Sequence, residues 1–264
     1  MNKVGQPRGL FRAVNIKGWA FVVAVTALLE AVTRAGLISE YFPPPTEMLG
    51  ALVSGLVTGE ISRQIGATLL AYTEGLALPA VLAVFAGILM GMFRTFYNAV
   101  KIIVELLRPV PAVSLIPLAI LLFGLRIEMR VSVIAFAAFW PILINTFYGV
   151  RAVDPITIDT ARNFGLSKAA ILWRIMLPSA LPSIATGFRI SAAIALVLTI
   201  TAELIAGNSG VGFYVARMEQ ANRLPEMFAG ILFTGILGYA LNLLFRRIEQ
   251  KVLFWGPSSR SEAT

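Results

Sequence analysis

Residues 159–178 read "DTARNFGLSKAAILWRIMLP", a polar stretch in the middle of a very apolar chain. Of the 264 residues around and including it, 58% are hydrophobic and 14% charged. A soluble domain is nearer half apolar and about a quarter charged. The apolar residues are also gathered into runs. Residues 75–93, 109–125, 131–150 and 227–245 hold no charged side chain, over 19, 17, 20 and 19 positions. Roughly 20 apolar residues cover the hydrocarbon core of a bilayer. Several such runs in one short chain point to an all-α polytopic membrane protein, and the quoted stretch becomes a loop between spans.

Six spans are expected, over approximately 18–36, 66–92, 104–124, 130–150, 182–205 and 227–246, in a single domain covering 1–264. Residues 1–17 form a basic tail, and the first span is the weakest because Glu30 and Arg34 interrupt its far end. The basic tail and apolar run lack a small-residue cleavage site, so the first span is read as uncleaved. "EYFPPPTEML" (40–49) reads as an ordered connector outside the membrane, since consecutive prolines cannot continue a helix. Orientation follows from basic residues in the short loops. With the N-terminus inside, inner segments carry fourteen Lys and Arg against six outside (Arg34, Arg63, Arg126, Arg130, Arg217 and Arg223). Both termini and the 151–181 loop are therefore expected in the cytoplasm. The net charge of +8 is a topology signal, and nucleic-acid binding is unsupported.

The loop carries its own punctuation. Asp154-Pro155 opens it as a helix start should: Asp accepts a hydrogen bond at the N-cap, and Pro at the first helical position gives up no needed donor. Gly165 can end that helix in the left-handed conformation. Ser167 can cap a second helix, "KAAILWRIM", before Pro178 and Pro182 break the chain again. The result is helix, sharp turn, helix, either a docking surface for a partner or a connector.

The spacing resembles the EAA loop of permease subunits in ATP-binding-cassette importers, whose pattern is EAA, three residues, G, nine residues, I, one residue, LP. Asp159, Thr160 and Ala161 stand in the EAA slots, Gly165 in the G, Ile175 in the I, and Leu177-Pro178 in the LP, with Leu166 and Ser167 at the bend. Asp replaces Glu and Thr replaces Ala. "FPPPTEML", "ELLRPVPAVSLIPLAILLFGL", "LPSALPSIATGFRIS" and "TAELIAGNSGVGFYV", in this order, are similar to the nitrate/taurine/sulfonate group of these permeases. The resemblance implies a type I importer fold in the bacterial inner membrane, with the later five spans as shared core. It implies a second permease copy as homodimer partner, two cytoplasmic ATPases carrying ATP and Mg, and an external solute-binding protein. It also implies that the helix before Gly165 couples ATP hydrolysis to the spans, and that the solute is a small anion such as taurine, another sulfonate or nitrate.

This chain carries no G-x-x-x-x-G-K-[ST] phosphate loop, so ATP binding by it has no visible basis, and no cofactor is expected on it. It has no histidine and no cysteine, which removes the Ser-His-Asp arrangement and the CxxC metal site. It is not expected to be an enzyme. The alternative is an ion-coupled secondary transporter, which should show an ion-coupling constellation or repeated halves, and no repeat is visible.

Intramembrane polar groups are the remaining candidates. Glu203, with Asn145 and Thr199, forms the expected translocation-path set. For Glu203 the competing reading is a boundary carboxylate or an internal hydrogen-bond anchor. Arg189 lies fourteen residues before it, about 21 Å at helical rise, so the two cannot pair on one helix. Arg189 reads as an inter-helix or headgroup-level anchor. Lys101, Glu105 and Arg108 share one helix face and suggest a local ion-pair network. Gly87-x-x-x-Gly91 permits close helix packing. The tryptophans, including Trp19, Trp140 and Trp255, read as packing or interface anchors.

Overall fold

The computed structural model describes residues 16–253, and among them every regular element is helical. The basic tail before residue 16, Arg260 and Trp255 lie outside the described residues. Among the described residues four helical segments are long and apolar enough to cross a membrane, or five if a sharply bent helix pair is counted as one span; the expected first span over 18–36 is not among them.

The first helix, α1 (Ile16–Arg34), ends on the two charges that weaken it as a span. They have a task. Glu30 accepts hydrogen bonds from the Thr46 amide (3.0 Å) and hydroxyl (2.7 Å), and Arg34 pairs with Glu30 at 2.6 Å. Thr46 lies in the first turn of α2 (Pro45–Val57), so Glu30 supplies an orphan N–H of that helix with an acceptor from outside. The proline run is thus a connector only as far as Pro44. Pro45 sits at the first helical position, where proline starts a helix.

The core is three long helices: α3 (Ser62–Met92), α6 (Ile127–Arg151) and α9 (Leu177–Ala206), with α6 between the other two. Lipid tails give little hydrophobic drive between helices, so close packing of small residues must do it. On α3, a Cβ at Gly75 would stand 2.6 Å from Ile134, at Gly87 2.7 Å from Thr146, and at Gly91 2.6 Å from Val150. The Gly87-x-x-x-Gly91 pair is therefore spent on α6 of the same chain. On the opposite side of α6, a Cβ at Gly149 would stand 2.7 Å from Ser183, and one at Gly187 of α9 would stand 2.9 Å from the Pro141 carbonyl. Ser191 donates to the Ala138 carbonyl at 2.6 Å.

Between α3 and α6 the chain does not form the single spanning helix expected over 104–124. It forms α4 (Arg94–Leu107), a 3-10 turn (Ala112–Leu115) and α5 (Ile116–Phe123), with the two parts bent by 84°. Pro109 and Pro111 lack the N–H groups that would continue α4, and the helix stops there although Arg108 itself keeps helical dihedrals (φ −56°, ψ −43°). Lys101, Glu105 and Arg108 do share the polar face of α4, but among the described residues no ion pair joins them; the expected network is absent.

Two short helices follow α6: α7 (Pro155–Asn163) and α8 (Lys168–Ile171). A π-helical turn, Leu172–Met176, then runs directly into α9. Pro178 and Pro182 do not break the chain as expected. Pro178 falls in the first turn of α9, and the wide π turn upstream absorbs the mismatch in hydrogen bonding. After α9 come α10 (Val211–Gln220) and α11 (Leu224–Val252). At the end of the bundle far from α7, helices α2, α10 and α11 close a second small core around Leu52, Ile61, Tyr214, Val215, Met218 and Ala229. Arg189 of α9 reaches Glu249 of α11 at 3.5 Å, as an inter-helix anchor.

Candidate functional site

The α7–α8 loop is built as its sequence dictates. The Asp154 carboxylate accepts from the Ile156 amide at 2.9 Å, and the Ser167 hydroxyl from the Ala170 amide at 3.2 Å. Gly165 has φ +79°, with its own amide bonded to the Arg162 carbonyl (2.9 Å) and the Leu166 amide to the Ala161 carbonyl (3.1 Å). This pair of bonds is the Schellman motif, which needs a left-handed residue at that position. Nothing lies within 4 Å of where a Cβ on Gly165 would be, so backbone conformation alone selects glycine here.

Of the expected loop residues, Asp159 and Thr160 are exposed, Ala161 is buried, and Ile175, Leu177 and Pro178 are half-buried where the chain rejoins α9. Asp159 pairs with Arg162 at 3.0 Å, and the Thr160 hydroxyl donates to the Ile156 carbonyl at 2.7 Å, so both are satisfied within α7. Leu166 is half-buried, while Gly165 and Ser167 face outward. The sequence reading missed Ile156 and Phe164. They lie four residues on either side of Thr160, on one helical face, and are 74% and 81% exposed. An i, i+8 pair of large apolar residues on an otherwise polar loop helix was the available signal. Such a face stands ready for a protein partner.

At the far end of the bundle, Glu203 is fully buried. It is not a boundary carboxylate reaching water. Its Oε2 accepts from the Thr68 hydroxyl (3.0 Å) and the Gly212 amide (2.9 Å), and its Oε1 stands 3.6 Å from Arg130. Arg130, counted above among the outer cations, is also buried; it donates to the carbonyl (3.0 Å) and hydroxyl (3.3 Å) of Ser209. Thr68 accepts from the Val211 amide at 2.8 Å and Gln64 from the Gly210 amide at 2.8 Å. Buried charge is tolerated when paired and hydrogen-bonded. Here one carboxylate ties α3, α6, α9 and the Gly207–Gly212 turn together. The glycines of that turn follow: a Cβ on Gly210 (φ +107°) would overlap the Glu203 carboxylate, and one on Gly212 would stand 2.5 Å from the Ile200 carbonyl.

Asn145 and Thr199 do not join this cluster. Thr199 is buried and donates to the Ala195 carbonyl at 2.7 Å, within α9. Asn145 is half-buried, bonds the Pro141 carbonyl at 2.8 Å, and packs against Gly187. The three path candidates therefore do not converge on one site. Among the described residues no group of three or more His, Cys, Asp or Glu could hold a metal.

The chain belongs to the family of binding-protein-dependent transport system inner membrane components, whose model matches residues 80–253. It is 29% identical over 251 residues to the taurine transport system permease protein TauC of Escherichia coli, covering 93% of this chain and 91% of that one. It is 30% identical over 190 residues to the nitrate import permease protein NrtB of Synechocystis, covering 72% of this chain and 69% of that one. The fold resembles the inward-facing methionine ABC transporter MetNI, with a TM-score of 0.62 at 18% identity over 72% of this chain and 95% of that one. This is a multi-pass permease of the ABC importer class.

Proposed function

We propose that the chain forms the translocation path for a small anion, of the sulfonate or nitrate kind, in an ATP-driven importer of the inner membrane. Two copies form the path, α1 supplies a sixth span, both termini lie in the cytoplasm, and an external binding protein delivers the solute. Each copy docks a separate ATPase that carries ATP and Mg. Asp159, Thr160, Gly165 and their neighbours are the coupling residues. The observation that carries this reading is the exposed Ile156–Thr160–Phe164 face, held at a fixed angle by the glycine turn. Anionic solutes are favoured by the relatives named for taurine and nitrate.

The test is co-purification and uptake. The chain is expressed with the ATPase and binding protein encoded beside it, and uptake of taurine and of nitrate is followed in cells lacking their own systems. The expected result is a stable permease–ATPase complex and ATP-dependent uptake of one of them. Substituting both Ile156 and Phe164 by Ser should lower ATPase recovery without lowering permease in the membrane. Uptake that persists with no ATPase bound overturns the proposal.

A further inference from the structure

The 84° bend leaves α4 with two opposed faces. Ile102, Ile103 and Leu106 are exposed on one, while Tyr97 and Lys101 turn inward against α6. Between α4 and the α7 end of α6 lies a cavity of about 400 Å³, lined by Tyr97, Lys101, Glu105, Arg108 and Tyr148, with Phe147 and other apolar residues behind them. At its edge the Arg151 guanidinium stands 5.7 Å from the centre of the Tyr97 ring, which itself stacks on Phe147 at 5.0 Å. Two cations, Lys101 and Arg108, thus line a space that holds one carboxylate, with Arg151 nearby beyond the Tyr97 ring. Glu105 lies four residues after Lys101 and three before Arg108, the spacing at which helical ion pairs form, yet neither pair closes. Charged side chains in membrane segments ordinarily pair with one another or serve a path.

We propose that this cavity is an oxyanion site: Lys101 and Arg108 hold a sulfonate- or nitrate-like group, with the hydroxyls of Tyr97 and Tyr148 as additional donors. On the reading above, it is the loop-side station of the translocation path, where the solute pauses before release. Lys101 and Arg108 supply charge-assisted donors in front of an apolar wall.

The chain contains no cysteine, so a single one at Ile144→Cys, on the cavity wall, reports on the charge of the space. The full chain in phosphatidylcholine nanodiscs is treated with methanethiosulfonate reagents of similar size, one bearing a sulfonate and one a trimethylammonium group. The sulfonate reagent should react faster by about tenfold, because clefts of one sign concentrate the opposite charge. Lys101→Gln or Arg108→Gln should erase the preference, and Arg108→Glu should reverse it. Equal rates, or a faster cationic reagent, overturn the site. Adding phosphatidylglycerol to the discs distinguishes the source of the oxyanion: if it protects the cysteine from both reagents, a lipid headgroup holds the cavity and the path role is overturned. In cells, Lys101→Gln should cut uptake severalfold and Lys101→Arg should restore it; unchanged uptake in Lys101→Gln also overturns the path role. The reagent preference is read without any transported solute. Failure to import taurine or nitrate would therefore sink the functional proposal while leaving the charge of the cavity tested separately.

Discussion

Substitutions of Glu203 and of its buried partner Arg130 should have unequal effects. Truncating Arg130 to Ala leaves a buried carboxylate without its cation, and losing one partner of a buried pair costs about 3–5 kcal/mol. Glu203→Gln keeps the size and one acceptor for the Thr68 and Gly212 donors, so it should cost less, while Glu203→Lys places two cations together and should abolish folding. Unfolding in detergent micelles, followed by circular dichroism, orders the three; a Gln variant as unstable as the Lys variant would mean the negative charge itself is indispensable. Gly165 presents a different physics, because its surroundings are empty and only its φ is special. Gly165→Val forces a β-branched side chain into a region that L residues reach at about 1–2 kcal/mol. Permease should still accumulate in the membrane, while ATPase stimulation and uptake fall; Thr160→Ala, already exposed and bonded only within its own helix, should be mild. Wild-type uptake and stimulation in Gly165→Val would remove this residue from the coupling role.

Among elements, the caps of α7 and α8 were legible because Asp154, Gly165 and Ser167 act on backbone within three residues of themselves. The bend between α4 and α5 was half legible. Pro109, Pro111 and Pro117 stand in that span and cannot continue a regular helix, but the angle depends on where α4 packs, which no local signal states. The fate of Lys101 and Glu105 misled for the same reason: spacing allows an ion pair, and the environment decides whether one forms. Glu203 was legible as an intramembrane charge but not as a partner of Arg130 and Thr68, which are 73 and 135 positions away in the chain. The glycines of α3 make a prediction at this scale. Gly87→Leu would drive a side chain into the Thr146 side chain and the Leu143 carbonyl, and overpacking of that kind costs about 1–3 kcal/mol or more. The melting temperature of the purified chain should drop. Gly235→Leu, where no atom lies within 4 Å of the added Cβ, should leave it nearly unchanged.

For the whole molecule, the surplus of inner cations predicts which end of the bundle faces the cytoplasm. Single cysteines at Ser167 and Gln220, both exposed and at opposite ends, allow it to be read in intact cells with an impermeant thiol reagent. Labelling at Gln220 alone is expected, and labelling at Ser167 alone would invert the bundle. The packing of α2 adds a constraint in time. Helix α1 leans chiefly on α2, and α2 finds its apolar partners on α10 and α11, the last of the described helices. Between Val57 and Leu224 a ribosome adding roughly 5–20 residues per second needs on the order of ten to thirty seconds. For that interval the apolar face of α2 that packs on α10 and α11 is uncovered. Assembly therefore includes a late closure, in which α11 receives α2. A chain stalled before α11 would present the membrane proteases with an unfinished face at its beginning rather than at its end.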